Sequence, residues 1–572
     1  MSSNDKLLVN TNFGPVVGFQ DTHPLSDRST ASSVASGQIG DQLPINKWLG
    51  IPYAQAARWT RPTPPNSWQE PLLCHEFGPH FPQLRFPQEP LSQQPVSVEV
   101  IYLGKPGLHP RAWREQSEEK GHNLNVFLPD EVQTGDKVPV MVWIYGGALL
   151  NGSACVSMYD PTEWIRREAA EGRKFIVVTG NYRVNLFGFL SSSELAAQDE
   201  DGLSGNYVGE ILHVLPHPTA WIAYQHHVRH QVQDNIAKFG GDPDNVTAFG
   251  ESAGGVVVSN LLLCQKKLFK NAILQSGTPG TIPYVEPKLA DTFYEELCDK
   301  ALKTTPQAER LAALRSLPAD ELLKYSPQGA GTVGFSTEQS NKGIWTSASG
   351  NDALKEGKWS PYLKSVLLGT TKDEGSIFAM LFQGVSKDGY DLMCERMYSK
   401  VPRAHLDKLY PPVFPDIKSG ESPDYASSVA CQLLSDQIFI APTENCAKIL
   451  SSTPNAQTGE RLSVYMYKLN ATVDKIEDGR GLGAFHSVDV PFIFNIKGAW
   501  SEDSTNAKTS ALMGKYWYTF AKSGCPESTW PQYDIAAPFR TVFEVDGGTS
   551  VEDMAGKSEL EKARHEFWNQ IS

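Results

Sequence analysis

The junction at residues 245–261 limits this chain's fold more than any other feature. There the β-prone run Asn245 to Phe249 (NVTAF) meets Gly250-Glu251-Ser252-Ala253-Gly254 and then the apolar, helix-like VVVSNLLL. A sharp strand-to-helix turn has no room for a Cβ two positions before or after its apex, so small residues flanking Ser252 are a steric requirement. Such a turn lifts Ser252 out of the sheet, sets its hydroxyl at the positive end of a helix, and aims the Ala253 N–H toward the place where an oxyanion would form. A bare G-x-S-x-G arises by chance and would leave Ser252 a simple turn residue. The strand before it and the helix after it give the motif its specificity.

The rest of the chain supplies more strands of the same kind. Lys137 to Tyr145 (KVPVMVWIY), Lys174 to Gly180 and Asn245 to Phe249 are nearly continuous β-prone runs of the kind found in strands buried on both faces of a parallel sheet. Phe269 to Gln275, Lys364 to Gly369, Ser463 to Leu469 and Thr541 to Val545 repeat the pattern, with helix formers such as Trp164 to Glu171 and Pro306 to Leu323 between them. Val9 to Phe19 reads as a hairpin turning at Asn12 and Gly14. The expected fold class is α/β, one large, mostly parallel sheet flanked by helices. The expected organisation is a single domain over residues 1–572, with variable insertions at about 278–359 and 378–462 that build the site region at the carboxyl ends of the strands. No internal repeat interrupts this reading.

Several function classes fall away. The 51 basic and 65 acidic residues give a net charge of -14, and no Lys/Arg run is long enough to track a phosphate backbone, so nucleic acid is not an expected partner. The longest strongly apolar stretch, Val138 to Leu150, is shorter than the ~18 residues of a membrane helix. The first residues carry no basic and apolar export signal, which points to a cytoplasmic protein. Eight scattered cysteines form no C-x-x-C pair, and His226, His227 and His230 have no carboxylate or thiolate nearby to complete a metal site. No metal or other cofactor is expected, and the sequons at Asn151, Asn245 and Asn470 carry little weight without an export signal.

After the strand Lys137 to Tyr145 comes Gly146-Gly147-Ala148, consecutive small residues whose N–H groups can converge on one point. A flexible loop or a phosphate turn would use similar residues, but the run lacks both G-x-G-x-x-G and the Lys-Ser/Thr of a P-loop.

Together with longer stretches, these residues resemble type B carboxylesterases of the cholinesterase-like branch of α/β-hydrolases. The likeness is carried by WLGIPYA at Trp48 to Ala54, Leu124 to Phe127, WIYGGAL at Trp143 to Leu149, NYRVNLFGFL at Asn181 to Leu190 and FGGDPDNVTAFGESAGG at Phe239 to Gly255. It continues through LQSG at Leu274 to Gly277, GTTKDEGSIF at Gly369 to Phe378, GAFHSVDVPFIF at Gly483 to Phe494 and FAKSGCP at Phe520 to Pro526. The resemblance implies an α/β-hydrolase fold in which Ser252 is the nucleophile, Glu374 the acid and His486 the base, with the backbone of Gly147, Ala148 and Ala253 as oxyanion donors. The order Ser, acid, His is the one that fold imposes. The chemistry agrees: a serine hydroxyl needs a neutral imidazole to take its proton, and the imidazole needs a carboxylate to orient it. Taken singly, Glu374 would be a turn acid and His486 one of 13 histidines.

The implied reaction is hydrolysis of small or medium carboxylic esters through an acyl-enzyme. The alternative is a catalytically silent binding protein on the same scaffold, since fold alone does not set function. Two departures from the family pattern stand out. Phe81 and Gly121 occupy the positions of an early disulfide found in secreted members, with Cys74 too displaced to replace either cysteine. Residues 208–221 form an extra segment containing Pro216 and Pro218, which bar a continuous helix. That segment is either a surface loop or translated intron, which transcript reads across codons 200–235 distinguish. Beyond it, Tyr224 and Gln231 stand where the family has Asp and Trp, which leaves the partner of Arg183 open.

Overall fold

The computed structural model describes residues 7–22, 43–84, 115–198, 235–265, 267–327, 350–415, 421–473, 479–496 and 498–571. Its strands are β1 (Leu8–Asn10), β2 (Pro15–Val17), β3 (Phe19–Asp21), β4 (Ile45–Pro52), β5 (Leu72–Leu73), β6 (Asn123–Pro129) and β7 (Val138–Ile144) in the first part of the chain. They continue with β8 (Ile176–Gly180), β9 (Gly241–Glu251), β10 (Asn271–Gln275), β11 (Ser365–Thr371), β12 (Ser463–Leu469), β13 (Phe539–Phe543) and β14 (Thr549–Asp553). The helices that matter below are α1 (Thr162–Ala170), α2 (Ala253–Leu261), α3 (Ala441–Ser452), α4 (Asp489–Phe494), α5 (Thr505–Ser523) and α6 (Glu559–Ile571).

Eleven strands form one sheet in the order β14-β13-β12-β11-β10-β9-β7-β8-β6-β4-β3. Pairing is parallel from β13 across to β8 and antiparallel at both ends. The central strands β8, β10 and β11 are buried at every position, as a strand covered on both faces must be. The Val9 to Phe19 hairpin forms as expected, pairing β1 with β2, but it joins β5 in a separate three-stranded sheet.

The antiparallel ends went unread in the sequence for a physical reason. In β4, Lys47 interrupts the apolar pattern, yet it is buried because its ammonium reaches Asp21 at 2.7 Å and Asp160 at 3.5 Å. β14 is largely exposed and polar, as an edge strand should be.

Strand order places the site. The chain steps from β7 to β8 on one side and then returns to place β9 on the other, so β7 and β9 flank a reversal in connection order, with Ile144 paired to Gly250. The loops leaving the carboxyl ends of neighbouring strands diverge there and open a crevice. The Gly146-Gly147-Ala148 loop leaves β7 and the Ser252 turn leaves β9, so these two features share one edge of that crevice. Beneath them the rings of Trp143, Trp164, Phe249 and Phe494 interlock, with centroids 4.9 Å apart for Trp143 and Phe249 and 5.0 Å for Trp143 and Phe494. Phe494 ends α4, so this packing ties the segment just after His486 to the sheet. A smaller apolar core built from Tyr390, Met393, Leu406 and Leu433 lies in the insertion between β11 and β12, and Trp568 of α6 completes it.

Candidate active site

Ser252 stands between the end of β9 and the start of α2 with φ +56° and ψ −126°. Backbone held in so sparsely populated a region costs about 1–3 kcal/mol. Its neighbours hold it: Ser252 N–H donates to Gln275 O at 2.8 Å, and Val256 N–H donates to Ser252 O at 3.0 Å. A Cβ on Gly254 would lie 2.1 Å from Ile144 O, and one on Gly250 would lie 2.7 Å from the same oxygen. Strand β7 therefore enforces both glycines, as the motif's sterics require.

The loop after β7 meets this turn. A Cβ on Gly146 would lie 3.0 Å from Ser252 Cβ. Gly147, Ala148 and Leu149 all have positive φ, at 107°, 56° and 65°. Successive residues of this kind turn their N–H groups to one side. Among the described residues, the Gly147 and Ala148 N–H groups donate to no protein acceptor. The N–H of Ala253, first residue of α2, belongs to the set that a helix leaves without an internal partner.

His486 sits on a turn pinned to the loop after β11. Asp373 N–H donates to Ala484 O at 2.9 Å, and Ala484 N–H donates to Asp373 Oδ2 at 2.9 Å. Gly483, with φ +63°, permits that approach, because a Cβ there would fall 2.4 Å from Asp373 Oδ2. The pinning brings His486 Nδ1 to 2.6 Å from Glu374 Oε2. Glu374 Oε1 accepts the Thr371 N–H at 2.8 Å and the Ser276 hydroxyl at 2.5 Å. Its orientation is thus set by three donors from separate elements.

The other imidazole nitrogen, Nε2, lies 3.1 Å from Glu251 Oε1 and makes no directed hydrogen bond, to Ser252 or to any other group. The Ser487 hydroxyl donates to that same Glu251 oxygen. Asp489 completes the surroundings, its Oδ2 accepting Gln275 Nε2 and the Tyr467 hydroxyl, both at 2.9 Å. Phe439 and Phe378 cover the imidazole with centroids 4.3 and 5.4 Å away.

Three buried carboxyl groups therefore share one imidazole. Burial pushes the Glu251 carboxyl up to about 8, with His486 pulling against it and Asp489 adding to it. Burial likewise raises Asp489 to about 6. For His486 burial disfavours the charge, but Glu251 and then Glu374 outweigh it and hold the imidazole above its ordinary value.

The structure thus brings Glu374 and His486 into direct contact and sets Ser252 against the Gly146 loop. The sequence reading assigned no chemistry to Glu251, Asp489 or Ser276, although Glu251 directly precedes Ser252, Asp489 follows His486 by three residues, and Ser276 lies in the LQSG stretch. Phe81 and Gly121 do occupy one place: the Phe81 ring lies against Gly121, where a Cβ would be 2.7 Å from Cδ1. All eight cysteines are free. Arg183 donates to Thr60 O at 2.9 Å and Ala57 O at 3.4 Å. The segment 208–221, Tyr224, Gln231 and the three clustered histidines lie outside the described residues. Among the described residues no helix is long and apolar enough to cross a membrane.

The carboxylesterase family profile matches residues 8–207 and 229–568, and its interruption begins where the extra segment was expected. The chain is 30% identical to the para-nitrobenzyl esterase of Bacillus subtilis (strain 168) over 515 residues, covering 86% of this chain and 89% of that one. It is 27% identical to liver carboxylesterase 1 of Oryctolagus cuniculus, over 86% of this chain and 85% of that one. The solved structure of a PNB esterase matches with a TM-score of 0.69 at 26% identity, covering 98% of this chain and 99% of that one. The chain belongs to the carboxylesterase family, has the α/β-hydrolase fold, and is a carboxylic ester hydrolase.

Proposed function

We propose that the chain hydrolyses small or medium carboxylic esters through an acyl-enzyme on Ser252, with His486 as general base and Glu374 as the acid that orients it. The observation that carries this reading is the 2.6 Å contact between His486 Nδ1 and Glu374 Oε2, with the other ring nitrogen 3.1 Å from Glu251, the residue that directly precedes Ser252 on its strained turn. Ser252 Oγ attacks the ester carbonyl as its proton passes to His486 Nε2, and the carbonyl oxygen takes the negative charge among the N–H groups of Gly147, Ala148 and Ala253. The C–O bond to the alcohol then breaks as His486 returns the proton to the leaving oxygen. Water repeats the sequence on the acyl-enzyme and releases the acid. Each oxyanion donor is worth roughly 2.7–4 kcal/mol of barrier. The para-nitrobenzyl esterase relative makes aryl and benzyl esters the first substrates to try.

The test is intact-protein mass spectrometry after exposure to a fluorophosphonate. One adduct on the wild type and none on Ser252→Ala is the expected result. A folded wild type that takes no label would remove the reading and favour a silent binding scaffold.

A further inference from the structure

Another buried histidine, His565, lies away from the proposed reaction but is connected to it. The connection is the π-helix Ser435–Ile440, which joins directly to α3. π-Helical turns are rare and often mark functional positions. On one side, the Ser435 hydroxyl accepts the N–H of Gly375, the residue after Glu374, at 2.7 Å. On the same segment, Phe439 lies over His486 at 4.3 Å. Asp436 is buried and faces α6, where its Oδ1 is 3.3 Å from His565 Nε2.

The groups around His565 come from every element that packs on it. Asp436 comes from the π-helix, and Glu444 from α3 with Oε2 2.9 Å from His565 Nδ1. Lys557, just before α6, lies 3.3 Å from the same Nδ1 and pairs with Glu444 Oε1. From β13, Arg540 stands 3.6 Å from Glu444 Oε1. The Tyr410 hydroxyl donates to Asp436 Oδ2 at 3.0 Å, and Arg564 of α6 lies 4.6 Å over the Tyr410 ring. His405 packs on Phe567 of α6 at 4.7 Å.

Each ring nitrogen of His565 therefore meets a carboxylate oxygen. An imidazolium donates to both carboxylates, and its 2.9 Å contact with Glu444 is shorter than the 3.3 Å approach of the Lys557 ammonium to the same nitrogen, so the two carboxylates favour the charged ring. Burial opposes the charge, but Asp436 and Glu444 outweigh it and push the pKa up to about 9.

We propose that His565 is a positioning residue for ester hydrolysis, its two-carboxylate clamp on α6 holding the π-helix that seats His486 and braces the turn carrying Glu374. The inference rests on the proposed function above. Loss of the imidazolium leaves buried Asp436 with the Tyr410 hydroxyl as a hydrogen-bond partner and, among the described residues, no cation paired with it, which loosens the segment carrying Ser435 and Phe439. The consequence is a misaligned His486 rather than a lost substrate contact.

The test measures p-nitrophenyl acetate hydrolysis from pH 6 to 10 by wild type, His565→Gln, Phe439→Leu and the double variant, with selectively 13C-labelled histidine NMR of the His486 ring. His565→Gln is expected to lower kcat roughly 2- to 30-fold with KM nearly unchanged. The wild-type kcat falls as pH rises through about 9, and this limb is missing in His565→Gln. The two substitutions combine non-additively, because they act along one path. The wild-type His486 ring signal shows a step near pH 9 that Glu251→Gln retains, because that variant removes the neighbouring carboxyl that titrates at about 8; this readout needs no turnover and holds even if His565→Gln does not fold. A folded His565→Gln with wild-type kcat and pH profile, additive losses, or a His486 signal without that step would each overturn the proposal. Absence of turnover and of fluorophosphonate labelling in wild type would instead remove the hydrolase reading, with the NMR step still deciding the coupling.

Discussion

His486 and His565 are both buried, and each has a carboxylate oxygen near both ring nitrogens. The distances are 2.6 and 3.1 Å around His486, and 2.9 and 3.3 Å around His565. What separates the two sites is the supply of fixed cations. Lys557 and Arg540 bear on Glu444 beside His565. Among the described residues, no Lys or Arg pairs with Glu251, Glu374 or Asp489. The carboxyls respond in opposite directions. Burial alone would raise Glu444, yet His565, Lys557 and Arg540 hold it well below the usual carboxylate range. Glu251, equally buried and without such cations, is pushed up to about 8. A balanced buried network holds its neighbours in place without passing protons, while an acidic set short of positive charge must share them. The second condition suits the role proposed for His486, to take and return a proton in each cycle.

This contrast breaks most sharply at the proposed reacting groups. Ser252→Ala or His486→Ala is expected to lower kcat/KM for a p-nitrophenyl ester by about 10^4- to 10^6-fold with little change in melting temperature. A loss of less than tenfold would refute the assigned roles. The corresponding cut in the balanced network shows foremost in folding. Glu444→Ala leaves buried His565 and half-buried Lys557 without their shared carboxylate and should cost about 3–5 kcal/mol in urea unfolding. An unfolding midpoint matching wild type would mean that the network carries no stability.

A smaller effect follows from pH. The folded pKa of His565, about 9, lies above its ordinary 6.5, so its contribution is fully present below pH 6.5 and is lost as pH rises through about 9. Wild-type stability should fall by about 3 kcal/mol over that window, and His565→Gln should lack the decline. Equal slopes for the two proteins would show that His565 is not charged in the folded state. The smallest expected effect is at Glu251. Its carboxyl is the foremost influence raising His486, so Glu251→Gln should move the acid limb of the kcat/KM profile to lower pH. A limb that stays in place would assign the shift to Glu374.

Much of the fold was legible because some of its constraints are local. The runs at Val138–Ile144 and Ile176–Gly180 are apolar along their length, and a strand buried on both faces has to be. β4 escaped the same reading because Lys47 is acceptable in the core only with Asp21 opposite it. β14 escaped because TSVED at an exposed edge carries no burial pattern. The π-helix at Ser435–Ile440 was invisible for a related reason, since its contacts with His486, Gly375 and His565 come from distant parts of the chain.

The sequence by itself determined where the backbone had to turn and which chemistries were available. Gly250, Ser252 and Gly254 follow from the sterics of one turn, and the proposed order Ser252, Glu374, His486 is the one the hydrolase fold imposes on its strands. Only the tertiary structure decided which of 13 histidines met which carboxyls. Glu374 and His486 are 112 residues apart, Glu251 and Ser487 are 236 apart, and His565 and Asp436 are 129 apart. Local sterics act between chain neighbours and can be read along the sequence. The proton affinity of a buried group depends on lost water and on charges brought near through space, and those exist only once the chain has packed.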